Sequence, residues 1–297
     1  MTGSLTNELF YPAIHESDEK WGITVTTAGF QLIEAHKAYP PEGHPKTHRY
    51  HYHSGRILDE FQLVYITRGK AVFSSKSVGE QLLEEGTLFM LFPGEWHTYR
   101  PHEDTGWEAY WVGFRGNYVS QLVANSYFLP ENPFFRIGYN EEITRFFQQI
   151  TAHIKREEPG SQQLLGGIIF YMLGYLFHFR KNTLFTNKAV VSKINKARVL
   201  MREHVNTNIS PEEIAEMLHI SYSWFRRTFR QYTGFSPAQY ITLMKVQRAK
   251  ELLAQTNDSV KEIAGVLKFE PSDYFSVFFK RVTGVSPLAY RALCREK

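Results

Sequence analysis

The chain has 297 residues, of which 43% are hydrophobic and 22% charged, with a formal net charge of +4 and one cysteine, Cys294. That length suits one large or two ordinary globular domains and excludes disorder and collagen-like repetition; a single cysteine excludes an intrachain disulfide and a cysteine-built zinc site, and points to a reducing, cytoplasmic setting. The charge is uneven: residues 1–187 carry 16 Lys and Arg against 20 Asp and Glu, whereas residues 188–297 carry 18 against 10, so a polyanion is expected to meet only the second part.

The start, MTGSLTNELFYP, lacks a basic segment followed by an apolar one and does not read as a secretory signal. Residues 22–28, 61–67, 71–75, 87–91 and 107–114 are runs rich in Val, Ile, Thr, Tyr and Phe, bounded by Gly, Pro, Ser and Asp, and they read as strands of a sandwich or small barrel. An eight-stranded barrel has room for one small ligand. Pro93-Gly94 begins a turn that leads to His97. Strand alternation sets Trp107, Ala109 and Trp111 on one face and Glu108, Tyr110 and Val112 on the other. Trp107 and Trp111 present flat aromatic faces that could meet a ligand, although plain core packing accounts equally for each tryptophan.

Residues 141–156 and 162–179 read as two helices, the first stopped by Pro159-Gly160. Ile143, Phe146, Phe147, Ile150 and Ile154 give the first a one-sided stripe, while the second is apolar nearly all round. Its apolar run, residues 164–177, is fourteen residues long and holds three glycines, short of the ~18 a membrane span needs. A buried helix or a subunit contact follows, and with it a homodimer. Residues 1–180 are thus expected to form one domain, 181–190 a polar linker and 191–297 a second domain.

The second domain contains a repeat of about fifty residues. Glu213-Ile214-Ala215 and Leu218 recur as Glu262-Ile263-Ala264 and Leu267 at an offset of 49; Phe225, Phe229, Thr233-Gly234, Ser236-Pro237 and Tyr240 recur at an offset of 50, so one residue is inserted in the second turn. Each copy reads as two short helices around a tight turn. In the first, Ser210 caps a helix with Pro211 at its first position and Glu213 completing a capping box, and Ser221 caps the next. That second helix turns Phe225, Thr228 and Phe229 inward and leaves Arg226, Arg227 and Arg230 for DNA, as a helix-turn-helix does. Residues 238–254 lack Gly and Pro and read as one connecting helix, whose rigid spacing suits successive major grooves about 34 Å apart.

The segments SYSWFRRTFRQYTGFSPAQYI, KVQRAKELL and DYFSVFFKRVTGVSPLAYR resemble, in order and spacing, the DNA-binding domain of the AraC/XylS family of bacterial transcription regulators. RILDEFQLVYITRG (residues 56–69) and EGTLFMLFPGEWHTYRPHEDTGWEAYWVGFR (residues 85–115) resemble the same family's effector-binding domain. The resemblance implies an α+β multidomain chain: a cupin-like β-barrel or jelly roll with two helices, then an all-α tandem helix-turn-helix domain. It implies base contacts from Ser223, Arg226 and Arg227, phosphate contacts from Arg230, Lys280 and Arg281, and weaker polar candidates in Ser272, Asp273 and Ser276 of the second copy. That copy departs from the family pattern, with Val277 where Arg is common and Lys268 at a turn position often held by Gly. In the first domain, Arg56, Tyr99 and Trp111 fall on sugar-contacting positions, with His97 and Trp107 as further ligand candidates, while Ala109 stands where the arabinose sensor uses His. The N-terminal arm at Phe10, Tyr11 and Pro12 would close over the ligand.

The implied function is an effector-controlled transcription activator, with duplex DNA, a sugar, a second copy and RNA polymerase as partners and no cofactor, catalytic residue or membrane. The alternatives are a constitutive DNA-binding protein with a non-sensing barrel, or a cupin-type enzyme. His44, His48, His51 and His53 raise a metal site, but the glutamate and later histidine of the cupin metal pattern are not at matching spacing, so a solvated loop or hydroxyl-binding imidazoles are expected instead.

Overall fold

A computed structural model describes residues 7–39, 52, 54–183, 187–207, 209–269 and 272–295, with only the backbone of Ser272 and Asp273. It divides into two compact units, Met1–Thr183 and Leu184–Lys297. The histidines at 44, 48, 51 and 53 lie outside the described residues; among those described, no group of three or more His, Cys, Asp or Glu is placed to hold a metal.

The first unit runs β1 (Glu8–Phe10), α1 (Glu16–Glu19), β2 (Thr24–Ile33), β3 (Arg56–Ile57), β4 (Phe61–Gly69), β5 (Ala71–Ser75), β6 (Gly79–Leu83), β7 (Thr87–Leu91), β8 (Trp96–Pro101), β9 (Trp107–Arg115), α2 (Asn117–Ala124), β10 (Phe134–Arg136), α3 (Glu141–Arg156) and α4 (Ser161–Thr183). The strands form two antiparallel sheets, β1-β2-β9-β4-β7-β10 and β3-β8-β5-β6, rather than one closed barrel, and α1 and α2 add to the two expected helices. The expected strand at 22–28 continues to Ile33. Gly29 and Gln31, which interrupt its pattern, pair with Trp111 and Ala109 of β9. The short β3, the exposed β6 and the polar β8 lack the apolar runs that mark strands in a sequence.

The larger sheet is covered on both faces. Val25, Leu63, Tyr65, Tyr110, Val112 and Phe114 face α3 and α4, meeting Ile143, Phe147 and Ile150 of the first and Ile169, Met172 and Leu176 of the second. Val64, Ile66, Phe89, Trp107 and Ala109 face the smaller sheet. A β-bulge between Val25 and Thr27 leaves Thr26 without a partner on β9, while Val25 stays opposite Phe114. The buried Gln162 side chain meets both Val25 backbone groups at 3.0 Å, accepting from its N–H and donating to its C=O. At Gly166 a β-carbon would lie 2.7 Å from the Ile23 carbonyl oxygen, so glycine lets α4 approach the sheet. α4 runs to Thr183 and the next helix starts at Lys188, so both ends of the stretch read as a linker are helical. No helix among the described residues is long and apolar enough to cross a membrane.

The second unit holds α5 (Lys188–Glu203), α6 (Pro211–Met217), α7 (Tyr222–Thr233), α8 (Pro237–Gln255), α9 (Val260–Val266), α10 (Ser272–Thr283) and α11 (Pro287–Arg295). Ser210 and Glu213 form the reciprocal capping box, at 3.1 Å and 2.7 Å, and Ser259 with Glu262 repeats it. One core joins Ile194, Ala197, Met201, Ile214, Phe225, Phe229 and Ile241; the other joins Val246, Ala249, Leu253, Ile263, Phe275 and Phe279. The 19-residue α8 is therefore shared between both lobes, as a rod about 28 Å long.

Both helix-turn-helix turns pass through a left-handed residue, His219 (φ 50°) and Lys268 (φ 53°), and the helices that follow start at Tyr222 and Ser272. The inserted residue of the second copy thus falls after Phe269 and before Ser272. A β-carbon in this conformation is strained. Lys268→Gly is expected to stabilise the second unit by about 0.5–1 kcal/mol net of glycine's greater unfolded-state entropy, read as a higher denaturant midpoint at unchanged slope.

Candidate nucleic-acid interface and effector pocket

In α7, Ser221 caps the first turn and the 3.6-residue period sorts the side chains. Phe225, Thr228 and Phe229 are buried, while Ser223, Arg226, Arg227 and Arg230 are exposed. Among the described residues, none of these three arginines is engaged in an ion pair or hydrogen bond, so three guanidinium groups project from one short helix with their donor sets open. α10 presents a different face. Phe275 and Phe279 point inward, Ser276 is half-buried, and Val277 is 66% exposed at the position equivalent to Arg227. Lys280 is exposed. Arg281 is exposed too, but its guanidinium donates to the Tyr274 hydroxyl at 3.4 Å and lies 4.9 Å from the Phe278 ring centroid, which draws it back along the helix. Ser272 and Asp273 stand in its first turn.

In the first unit, strand pairing sets Arg56 of β3 opposite His97 of β8. Arg56 donates to the Tyr99 hydroxyl at 2.8 Å and, through Nε, to His97 Nε2 at 3.4 Å. The His97 and Tyr99 rings are stacked 6.2 Å apart, and Tyr99 lies 5.9 Å from Trp107. His97 is 1% exposed; burial first, and then the Arg56 charge, push its imidazole down from 6.5 to about 4. It is therefore neutral at pH 7, and its other ring nitrogen, 3.0 Å from the Glu95 carbonyl, donates there while Nε2 accepts from Arg56. His97 thus stands inside a strand rather than in a turn.

Trp107, Ala109 and Trp111 do share the inter-sheet face. Trp107 is packed, and its indole N–H is buried without a hydrogen-bond partner among the described residues. Trp111 is half-buried and lies against Gly29, where a β-carbon would come within 2.4 Å of its six-membered ring. Two residues here, Gln31 and Tyr39, escaped sequence reasoning. Gln31, 5% exposed, pairs across the strands with Ala109; an amide between Phe30 and Leu32 was the available signal. Tyr39 meets Trp107 edge-on at 5.9 Å, from a segment with no strand pattern. Tyr11 of the N-terminal arm has its phenol pKa raised, chiefly by burial, with opposing influences from Arg56 and Glu60 that set it near both; Phe10 is instead in β1, paired with Ala28.

A tandem helix-turn-helix unit on one shared rod, in a chain that also carries a two-sheet unit with a polar and aromatic inter-sheet face, defines a DNA-binding transcription regulator with a ligand-binding domain. Residues 214–293 match the helix-turn-helix domain family, and residues 38–173 match the AraC-like ligand binding domain. The chain belongs to the AraC/XylS family of transcription regulators. It is 26% identical to the raffinose operon transcriptional regulatory protein of Pediococcus pentosaceus, over 82% of this chain and 88% of the relative. It is 25% identical to the MmsAB operon regulatory protein of Pseudomonas aeruginosa (87% and 84%) and 25% identical to the arabinose operon regulatory protein of Escherichia coli (77% and 80%).

Proposed function

We propose that the chain is a cytoplasmic, sugar-controlled activator without catalytic activity. The effector is held by Arg56, His97, Tyr99, Trp107 and Trp111. DNA bases are read by Ser223, Arg226 and Arg227, phosphates are held by Arg230, Lys280 and Arg281, and Ser272, Asp273 and Ser276 contribute less. Activation implies contact with RNA polymerase. The observation that carries the sugar reading is the Arg56–Tyr99–His97 hydrogen-bonded group on one sheet with the Trp111 ring laid over Gly29 on the other. Two relatives regulate raffinose and arabinose operons, which supports the same class of effector.

The test is thermal unfolding of the full chain with raffinose, lactose, L-arabinose and D-galactose. A bound sugar at 100 times its Kd adds about 2.7 kcal/mol to stability, and Arg56→Ala is expected to remove that gain. A shift that survives Arg56→Ala would place the sugar elsewhere, and no shift with any sugar would remove sugars as the effector class.

Dimerisation through α4 belongs to the same reading. Leu164 (49%), Phe170 (54%) and Tyr171 (55%) are exposed, and a β-carbon added at Gly167 or Gly174 would meet no atom of another element within 4 Å among the described residues. Residues 164, 167, 171 and 174 repeat at the three-four spacing of a coiled-coil seam, with glycines that admit a close partner. Sedimentation at micromolar concentration is expected to show a dimer and Tyr171→Glu a monomer. A monomeric wild-type chain, with and without sugar, would refute the assignment.

A further inference from the structure

We propose that Glu60 and Gln62 form an acceptor pair in the effector pocket that reads two neighbouring hydroxyls of a neutral sugar stacked on Trp111; this rests on the sugar reading above.

Strand register fixes where the pair stands. Across β4, β9 and β2, three rows face the smaller sheet: Gln62–Gly113–Thr27, Val64–Trp111–Gly29 and Ile66–Ala109–Gln31. The first row is next to Trp111. Its middle position is glycine, and the Glu60 carboxylate fills the space: a β-carbon at Gly113 would lie 2.5 Å from Glu60 Oε1 and 2.3 Å from Thr27 Oγ1. Glu60 and Gln62 are 4% and 3% exposed.

Hydrogen-bond accounting leaves this pair short of donors. Glu60 Oε1 accepts from Gln62 Nε2 at 2.7 Å and from Thr27 Oγ1 at 3.5 Å, and Oε2 accepts from Thr26 Oγ1. Each donor is neutral, and among the described residues no cation pairs with the carboxylate. A carboxylate has about four acceptor positions, so one stays open on Oε2. Gln62 Oε1 is buried with no partner among the described residues. A buried acceptor without a donor is costly, and Gln62 Oε1, together with the spare acceptor position on Glu60 Oε2, calls for a ligand that brings two donors.

Vicinal hydroxyls meet that need. The opposite wall supplies donors, from Arg56 and Tyr99, so the pocket can accept from one edge of a polyol and donate to the other. An anionic sugar placed against Glu60 would bury two like charges together, which selects neutral sugars over uronates.

The experiment is calorimetric titration of the full chain with the same four sugars and D-galacturonate, on wild type, Glu60→Gln and Gly113→Ala, with circular dichroism to verify folding. For the sugar that binds, both variants are expected to weaken affinity about 10- to 100-fold, since each loses or displaces a charged acceptor. A deoxy analogue lacking one contacted hydroxyl should bind wild type more weakly than the parent sugar, and Glu60→Gln should erase that difference, which a purely structural role would not do. Binding of both variants within threefold of wild type, an unchanged deoxy penalty, or galacturonate binding as tightly as galactose would overturn the inference while leaving the sugar reading intact. No binding by any sugar would overturn both.

Discussion

Replacing Arg226 and Arg227 together with alanine is expected to abolish preference for the operator while leaving the helical content unchanged. Both side chains are exposed on α7, on the side away from Phe225 and Phe229, so truncation opens no cavity. A bidentate arginine–guanine contact is worth about 1–3 kcal/mol of discrimination, so losing two is expected to lower the ratio of specific to random binding about 10²- to 10⁴-fold. Arg230→Ala is expected to act differently, weakening binding to every sequence alike and reducing the salt slope by about one. In the second copy, the exposed Val277 has no donor to read a guanine and suits only an apolar contact such as a thymine methyl, so Ser276→Ala and Val277→Ala should each cost less than tenfold. Fluorescence anisotropy against operator and scrambled duplexes at several salt concentrations separates these outcomes. A larger change in preference from the α10 variants than from the α7 pair would reverse the ranking of the two helices.

The first unit is expected to lose stability in mild acid because of His97. Its folded-state pKa is about 4 against an ordinary 6.5, so the neutral form is the one the fold accommodates. Between those two values the unfolded chain binds a proton that the folded chain excludes. The contribution is therefore fully present above pH 6.5 and declines as pH falls towards 4, by an amount on the order of 3 kcal/mol. Denaturant unfolding followed by tryptophan fluorescence reads this unit preferentially, because four of the five tryptophans (Trp21, Trp96, Trp107 and Trp111) lie in it. His97→Gln should be less stable at pH 7 but flatter across the window, so the gap between wild type and variant narrows from pH 7 to pH 4.5. A constant gap would mean that His97 takes up its proton in the folded chain as readily as in the unfolded one.

The reader unit was largely legible from the sequence because its determinants are local. The Ser210–Glu213 capping box, the inward Phe225 and Phe229 and the uninterrupted α8 are each written within a few residues, and the repeat at offsets of 49 and 50 states the architecture twice. The effector unit was legible only in part. Its apolar strands carried a signal, and the alternation of Trp107, Ala109 and Trp111 placed those three on one face. The polar β8 and the two-residue β3 did not, and with them the pairing of Arg56 with His97 was hidden.

Sequence alone therefore determined the two-part organisation, the paired helix-turn-helix motifs and the exposed arginines, since helix periodicity and capping depend on neighbours three or four residues away. Only the tertiary structure decided that the sheets stay separate, that His97 is buried beside a guanidinium, and that Glu60 comes to rest over Gly113, 53 positions further along the chain. Those facts depend on strand register and on which faces two sheets turn towards each other, and such contacts between distant residues leave no periodic trace in the chain.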